Sequence, residues 1–486
     1  MNMAERKDFV DRLKKIDEMK KNGIDPYPHY FPVNEEIKNI VKNWEYFMGK
    51  SVLTAGRLMA IRYHGKVGFA DLFMDGAKIQ IFLRYDVMLE KYNKFKEFVD
   101  KGDFVGVEGD VVRTDKGELS ILVKDFTIIS KSLYDLPHQW FGIEDVETRY
   151  RQRYLDMILN PEVFEIFRKR SMITSEIRNY LNSIGYIEFE TPILQPVYGG
   201  ANAKPFITFV NAIGKNYYLR ISDELYLKRL LVAGYPKVYE IGKDFRNEDI
   251  DSKHNPEFTM IEIYEAFKDY KYMMDLTENI IKHVALKVNN SLKINLNGME
   301  IDLSKPWKKV KMLEMLKENG FDVKNMSDDE IKNLIDKYGI KLPTYVRGIA
   351  ITKIFESMFE ETFIEPIFVI DYPRESTPLC KPHREDPTLV ERFELYINGI
   401  EIANGYSELN DPLLQEKFFR EEMERRTLGD EEAQQMDLDF LEALRTGMPN
   451  AGGVGIGIDR LSMILTGAKS IKEVIYYPIL SPKQEK

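Results

Sequence analysis

Residues 238–265 read VYEIGKDFRNEDIDSKHNPEFTMIEIYE, and the fold of the larger part of the chain depends on how this stretch is parsed. Two alternating segments, Val238 to Phe245 and Phe258 to Tyr264, flank a polar loop. That pattern predicts an antiparallel hairpin with a long loop. Side chains in a strand alternate between faces, so Phe258, Met260, Glu262 and Tyr264 share one face. A carboxylate interleaved with Phe, Met and Tyr does not belong in a purely apolar core, because burying it unpaired is costly. On the first strand Glu240 and Arg246 share parity. Pattern alone explains them equally well as an internal Arg–Glu pair or as part of a site.

A second stretch, residues 392–408, reads RFELYINGIEIANGYSE. Asn398-Gly399 signals a two-residue hairpin turn. That turn sets Glu394 opposite Ala403 and Tyr396 opposite Glu401, so Glu394 and Glu401 become diagonal neighbours on one face. Two like charges so placed repel unless a cation lies between them, and a divalent metal shared with phosphate oxygens would explain the pair. An exposed acidic sheet face is the alternative. Strict alternation turns Asn404, Tyr406 and Glu408 to the other face. They join Glu401 only if the strand bulges between Ala403 and Gly405, where glycine is permissive. A third stretch, Gly453 to Leu465, reads GVGIGIDRLSMIL: a small-residue strand entering an apolar helix with Arg460 in its first turn. A helix N-terminus plus a guanidinium suits a polyphosphate, although Arg460 paired with a nearby acid would read the same.

Around these stretches the chain divides by pattern. Asp8 to Asn22 reads as a charged helix ended by Gly23. Short alternating strands are predicted at 52–62, 67–74, 77–83, 103–112 and 118–129, with a helix from Leu89 to Lys101 and turns at Asp75-Gly76 and Lys116-Gly117. Five strands with a helix after the third are the layout of an OB-type barrel, a binder of single-stranded nucleic acid. An SH3-like barrel is the bland alternative. Asn160-Pro161 starts a helix whose apolar residues run from Val163 to Ile184 at helical spacing. Gly185 stops it, and a strand from Tyr186 to Glu190 follows. Residues 309–338 read as polar helices with a capping box from Ser327 to Glu330.

The 486 residues exceed one ordinary core, so two or more domains are expected. The formal charge of −10 argues against generic coating of nucleic acid but leaves room for one RNA held by a local basic patch. No apolar run is long enough to span a membrane, and the first residues lack the apolar core of a signal peptide. The lone cysteine, Cys380, excludes a disulfide framework and fits a reducing cytoplasm. A phosphate-binding P-loop, a zinc H-E-x-x-H and a G-x-S-x-G elbow are absent.

In order, YIEFETP (186–192), FRNED with HNPEFTMIE (245–249 and 254–262) and GVGIGIDR (453–460) resemble the three signature motifs of class II aminoacyl-tRNA synthetases. A barrel placed N-terminally narrows the resemblance to the subclass serving lysine, aspartate and asparagine. Within it, TRYRQRYLDMI (148–158), GGANAKPF (199–206), ELYLKRL (224–230) and ERFELYINGIEIANGYSELNDP (391–412) are similar to the lysine enzymes. The resemblance spans 51–480 and departs in detail at SDELYLKR (222–229), GANAKPF, STPLC (376–380) and IANGY (402–406), without altering a charged pocket residue.

The resemblance implies an α+β chain. Residues 1–50 would be a helical extension, 51–131 an anticodon-binding OB barrel and 132–147 a linker. Residues 148–486 would be a catalytic domain on an antiparallel sheet flanked by helices, with a helical insertion at about 305–345. It implies a cytoplasmic homodimer, paired through the first motif, that takes L-lysine, ATP, Mg²⁺ and lysine tRNA. Arg246 would hold the amino-acid carboxylate and the α-phosphate. Glu248, His254 and Asn255 would contact ATP, and Phe258 and Arg460 would sandwich adenine. Glu394 and Glu401 would carry Mg²⁺. Gly200 and Glu262 would bind the α-amino group, and Glu224, Tyr264 and Glu408 the ε-ammonium, with Asn404 and Tyr406 completing the pocket. In the barrel, Phe69 would stack on an anticodon base and Gln80 hydrogen-bond one, with Arg62 and Glu118 nearby. Acids at the pocket end suit a cation and repel an aspartate side chain. Ornithine is harder to exclude, since one methylene is worth only about 1–3 kcal/mol. Rival readings are an aspartate or asparagine enzyme, a ligase that lysylates protein, and an inactive RNA-binding regulator.

Overall fold

In the computed structural model, which describes residues 7–136, 143, 145–296 and 298–482, the alternating strands of the first third close on themselves. These strands are β1 (Ser51–His64), β2 (Val67–Met74), β3 (Ala77–Arg84), β4 (Phe104–Arg113) and β5 (Leu119–Ser130). They form a closed barrel in the order β1-β2-β3-β5-β4. Closure leaves no unpaired edge. Leu58, Leu72, Ile81, Leu83, Val107 and Ile121 fill the interior. Asp75 and Gly76 both take positive φ, as the two-residue β2–β3 turn requires. The helix Glu90–Phe98 follows β3 and buries Tyr92, Phe95 and Phe98. Ahead of the barrel the extension forms helices Lys7–Lys21, Ile37–Lys42 and Trp44–Phe47. Part of the predicted linker, 137–142 and 144, lies outside the described residues, while Val146 onward is already helical.

The chain divides into two compact units. One runs to Arg149 and includes Tyr154–Glu165; the other comprises Tyr150–Arg153 and the residues from Ile166 on. The second unit is built on β6 (Ile187–Glu188), β7 (Leu194–Gln195), β8 (Ile207–Val210), β9 (Lys215–Leu219), β10 (Lys237–Phe245), β11 (Glu257–Ala266), β12 (Lys293–Leu296), β13 (Met299–Asp302), β14 (Lys308–Lys311), β15 (Ile367–Pro373), β16 (Leu389–Ile397), β17 (Ile400–Ser407) and β18 (Ala451–Gly457). Eight of these make one sheet, ordered β14-β15-β16-β17-β18-β11-β10-β6. Its interior pairs are antiparallel, but β6 joins β10 and β14 joins β15 in parallel. The sheet is therefore mixed, and not antiparallel throughout as the resemblance implied. Both parallel strands sit at edges and arrive by long connections, which parallel pairing requires.

One face of the sheet carries the core. Ile261 and Ile263 of β11 and Val454 and Ile456 of β18 pack with Met273, Ile280 and Val284 of the helix Tyr270–Asn289 and with Ile173, Ile177 and Leu181. The predicted strand at Tyr186–Glu190 contracts to two residues, Ile187–Glu188. Lys308–Lys311, assigned from sequence to a helical insertion, is instead an edge strand; the helices Met312–Glu318 and Asp328–Lys337 follow it. The Ser327–Glu330 capping box forms as expected. Among the described residues no helix is long and apolar enough to cross a membrane.

The β16–β17 hairpin departs from its predicted register. Tyr396 faces Glu401, but Glu394 faces Asn404 and not Ala403, because a β-bulge absorbs Ile402. The bulge lies one step ahead of the predicted Ala403–Gly405. Ile402 and Ala403 both turn into the core, so Glu401, Asn404 and Tyr406 all return to the other face.

In the barrel, a Cβ at Gly109 would stand 2.2 Å from the Leu122 carbonyl oxygen, backbone that has nowhere to retreat. Gly109→Ala is expected to destabilise the first unit by about 1–3 kcal/mol, read as a lower urea midpoint with unchanged slope.

Candidate active site

The face of the sheet opposite the core opens into a cavity of about 380 Å³, the size of a small-molecule site. Its floor is made by the absence of side chains. Gly453 and Gly455 of β18 pair with Tyr264 and Glu262 of β11. A Cβ on Gly455 would lie 2.6 Å from Glu262 Oε1, and one on Gly453 would meet Glu408 Oε1 and the Tyr264 ring. The glycine run is thus needed because large side chains from β11, and Glu408 past the end of β17, must cross it. Phe258, Met260, Glu262 and Tyr264 all line the cavity, as their parity predicted, and Glu394, Glu401, Asn404 and Tyr406 line it from the bulged hairpin.

At one end stand the acids. Glu224, at the start of the helix Glu224–Val232, and Glu262 both line the cavity and are buried. Tyr264 donates to Glu262 at 2.9 Å, and Tyr406 donates to Glu224 Oε2 at 2.8 Å. Burial, then Glu224 and Asp244 nearby, holds the Glu262 carboxyl well above the usual range. Gly200, at φ 90°, approaches Ser222 and Glu224 closely, and its N–H donates to Gln434.

Glu408 is the exception. It lies behind Gly453, only 1% exposed, and is not among the cavity-lining residues. Its carboxylate pairs with Lys228, whose ammonium also donates to Glu224 Oε1 at 2.5 Å. The position past the end of β17 carries Glu408 to the far side of Gly453, next to Tyr264 and Lys228.

Beneath the same end, Arg220 donates to Glu240 at 2.6 Å and lies 3.2 Å from Asp244. Glu240 therefore pairs with Arg220, not with Arg246. Arg246 stays in the cavity, its guanidinium 5.1 Å from the Phe258 ring centre.

The other end carries the phosphate-type groups. Arg460 donates to the Glu401 carbonyl at 2.9 Å and to its carboxylate at 3.2 Å, and shares a hydrogen bond with His254. His254 is oriented by Asp251 at 2.8 Å. Glu248, His254 and Asn255 all line the cavity, but the Asn255 side chain is spent internally, on the Glu257 carbonyl and the Ile479 N–H. Glu394 accepts from Arg392, Tyr372 and Tyr396. Burial and the neighbouring Glu394 push the Glu401 carboxyl up, while Arg460 and Arg392 pull it down. Two hard-oxygen donors in mutual repulsion fit a divalent cation. Among the described residues no third acid, His or Cys joins them as a metal-holding group, so phosphate and water oxygens would have to complete the shell.

In the first unit, Phe69 of β2 stacks on Phe82 of β3, with ring centres 4.9 Å apart and planes 1° from parallel. Phe69 faces Arg62 across β1–β2, and Gln80 accepts from Ser120 at 2.9 Å. Arg62 and Glu118 are exposed. These outward side chains place an aromatic platform among polar groups on the barrel surface.

Sequence reasoning missed Lys228, Arg220, Arg392 and Phe82. Lys228 had a signal, its four-residue spacing from Glu224, but such pairs are ordinary on exposed helices. Arg220 reaches Glu240 from a neighbouring segment, where spacing says nothing, while Arg392 lies two residues before Glu394 on β16, a same-face spacing that did carry a signal.

Residues 145–481 match the family described as class II tRNA synthetases (D, K and N), and residues 52–129 match the OB-fold nucleic acid binding domain. Among characterised proteins, the chain is 50% identical to a lysine–tRNA ligase of Saccharolobus solfataricus, over 99% of this chain and 98% of that one. It is 50% identical to lysine–tRNA ligase 2 of Methanosarcina mazei, over 96% and 93%. It is 48% identical to a lysine–tRNA ligase of Thermotoga maritima, over 98% and 97%.

Replacing Arg220 by Met leaves Glu240, Asp244 and Asp223 buried without their cation, a loss of about 3–5 kcal/mol at neutral pH. Burial already pushes Asp244 up to about 6. A carboxyl raised in the folded state favours folding when protonated and loses that advantage as pH rises. The Arg220→Met deficit is therefore expected to shrink in urea titrations as pH falls from about 8 to 5.

Proposed function

The chain belongs to the class II tRNA synthetases, and we propose that it is a lysine–tRNA ligase whose specificity resides in the acidic end of this cavity. The observation that carries the proposal is the placement of Glu224 and Glu262 on the cavity wall, each backed by a tyrosine hydroxyl. Lysine presents two ammonium groups, and two cavity-facing carboxylates answer them. Glu262 with Gly200 takes the α-amino group; Glu224 with Tyr264 and Tyr406 takes the ε-ammonium, and Asn404 supports the pocket. An aspartate side chain would meet like charge there. A pocket built around one polar group rejects analogues that lack it by about 10⁴-fold or more.

Arg246 fixes the lysine carboxylate beside the α-phosphate of ATP. Glu248, His254 and Asn255 bound the nucleotide, and Phe258 and Arg460 enclose adenine, a stacking role both side chains suit. The carboxylate is already ionised and needs no base. It attacks the α-phosphorus, the bond to the bridging oxygen breaks, and pyrophosphate leaves with that electron pair. Glu394 and Glu401 would hold Mg²⁺, which when bound neutralises phosphate charge. Catalysis is then positioning and charge stabilisation. In the second step a hydroxyl of the terminal tRNA ribose attacks the adenylate carbonyl and AMP departs.

The barrel supports recognition of the tRNA. Phe69, stacked on Phe82, offers a base-stacking platform, and Gln80, Arg62 and Glu118 offer polar contacts. Exposed Ile187, Leu194, Ile207 and Phe209 lie in or near the first motif. Apolar groups left exposed there support pairing with a second copy.

Pyrophosphate exchange measured over all amino acids is expected to depend on lysine, with charging of lysine tRNA to follow; exchange driven by aspartate or asparagine would contradict the proposal. Glu224→Gln is expected to raise the KM for lysine at least about tenfold with a smaller change in kcat, since uniform binding is what it removes. Arg246→Ala is expected to lower kcat by about 10²–10³, the loss typical of a transition-state charge stabiliser.

A further inference from the structure

The cavity holds a lysine at the end where Glu394 and Glu401 stand. Lys353 and Glu356 both line it, from the helix Arg347–Phe359. Ile351, Ile354, Phe355 and Phe359 bury one stripe of that helix. Lys353, Glu356 and Glu360 recur at three- and four-residue steps on another. The first turn is pressed against the chain leaving β15: a Cβ on Gly348 would lie 2.9 Å from the Pro373 Cβ. Close packing on one side thus fixes where the polar stripe points.

The two acids of that stripe each hold an ammonium group, in different ways. Glu360 accepts from Lys253 at 3.3 Å, and Lys253 also donates to the Gly399 carbonyl at 2.9 Å. Lys253 is thereby tied to the turn between β16 and β17. Lys353 donates to Glu356 at 2.8 Å, and its side chain stays 51% exposed. Burial opposes the Lys353 charge, but Glu356 outweighs it, and Glu394 and Glu401 add to the pull. The ammonium is therefore charged, on the cavity wall, and held by a neighbour three residues on. Such a pair on a helix surface is weak, so a more highly charged ligand can take the ammonium over.

The proposed reaction calls for a cation at this end. Pyrophosphate leaves with the electron pair of the bridging oxygen, so negative charge grows on the departing group. Groups aimed at charge that develops in the reaction contribute most to rate. Arg246 serves the lysine carboxylate and the α-phosphate, and Arg460 encloses adenine; neither is left for the terminal phosphates. A lysine ammonium suits them, being a compact charge on a flexible stem with three donors.

We infer that Lys353 binds the terminal phosphates of ATP and the pyrophosphate that departs, exchanging Glu356 for phosphate oxygens when the nucleotide enters. This rests on the reading of the chain as a lysine–tRNA ligase and adds a phosphate contact to that site. A purely structural lysine would instead balance Glu356, Glu394 and Glu401 and be indifferent to how many phosphates a nucleotide carries.

Calorimetric titration with ATP, AMP and inorganic pyrophosphate in the presence of Mg²⁺ separates these roles, for the wild type, Lys353→Met and Lys353→Arg. Lys353→Met is expected to weaken ATP and pyrophosphate about tenfold or more, the loss of one charge-assisted contact. AMP, which lacks the terminal phosphates, is expected to bind within about twofold of wild type, and the lysine KM in pyrophosphate exchange to stay within about twofold. Lys353→Arg, which keeps the charge, is expected to hold ATP and pyrophosphate within about threefold of wild type. If Lys353→Met does not fold, Lys353→Gln takes its place with the same expectations, and failure of both to fold overturns the assignment. Equal weakening of ATP and AMP, unchanged pyrophosphate binding, or a change confined to titration with Mg²⁺ alone also overturns it. Absence of lysine-dependent exchange in the wild type would overturn the proposed function itself, whatever the titrations give.

Discussion

A carboxylate taken out of water must find a cation or a set of donors, and in the second unit Glu224, Glu240, Asp244, Glu262, Glu394 and Glu408 are all buried. Each meets that constraint differently. Glu240 and Asp244 share Arg220. Glu394 is wrapped by Arg392 and two tyrosines. Glu408 has Lys228. Glu224 and Glu262 are matched only in part, by Lys228 and by tyrosine hydroxyls, and both face the cavity, as Glu394 does. The site is the place where the protein leaves the constraint unsatisfied for a ligand to complete.

The backbone makes room for this arrangement. Met260, Glu262 and Tyr264 of β11 and Glu408 past the end of β17 would meet a Cβ on Gly453 or Gly455, so β18 contributes glycine where these four side chains cross it. The bulge at Ile402 has a matching role. By turning two consecutive residues into the core it brings Glu401, Asn404 and Tyr406 to one face, and with it to the wall of one cavity. Arg460, in the first turn after the glycine strand, is placed by the same continuity of chain.

Much of this was legible in the sequence. Alternation gave the barrel strands and the shared face of Phe258, Met260, Glu262 and Tyr264 because local pattern determines which side a strand residue faces. The bulge was required by Asn404 and Tyr406 but could not be placed, since a bulge is chosen by packing on both strands. The parallel edge strand Lys308–Lys311 was hidden in a polar, lysine-rich segment that lacks the apolar alternation of a strand. The charge partners were least legible. Arg220 reaches Glu240 across 20 residues and Lys228 reaches Glu408 across 180, and no spacing rule connects them. Resemblance named Glu408 as a ligand-reading residue, but no local pattern announced its ion pair with Lys228.

The carboxylates at the acidic end of the cavity are expected to recognise the charged end of a lysine side chain. Calorimetric titration of the whole protein with L-lysine and with norleucine, which keeps the length of the chain but lacks the ε-ammonium, tests it most directly. The account predicts that lysine binds and that norleucine is weaker by at least about 10³-fold, as expected when buried polar groups are left unpaired. Binding of the two amino acids with equal affinity would contradict it.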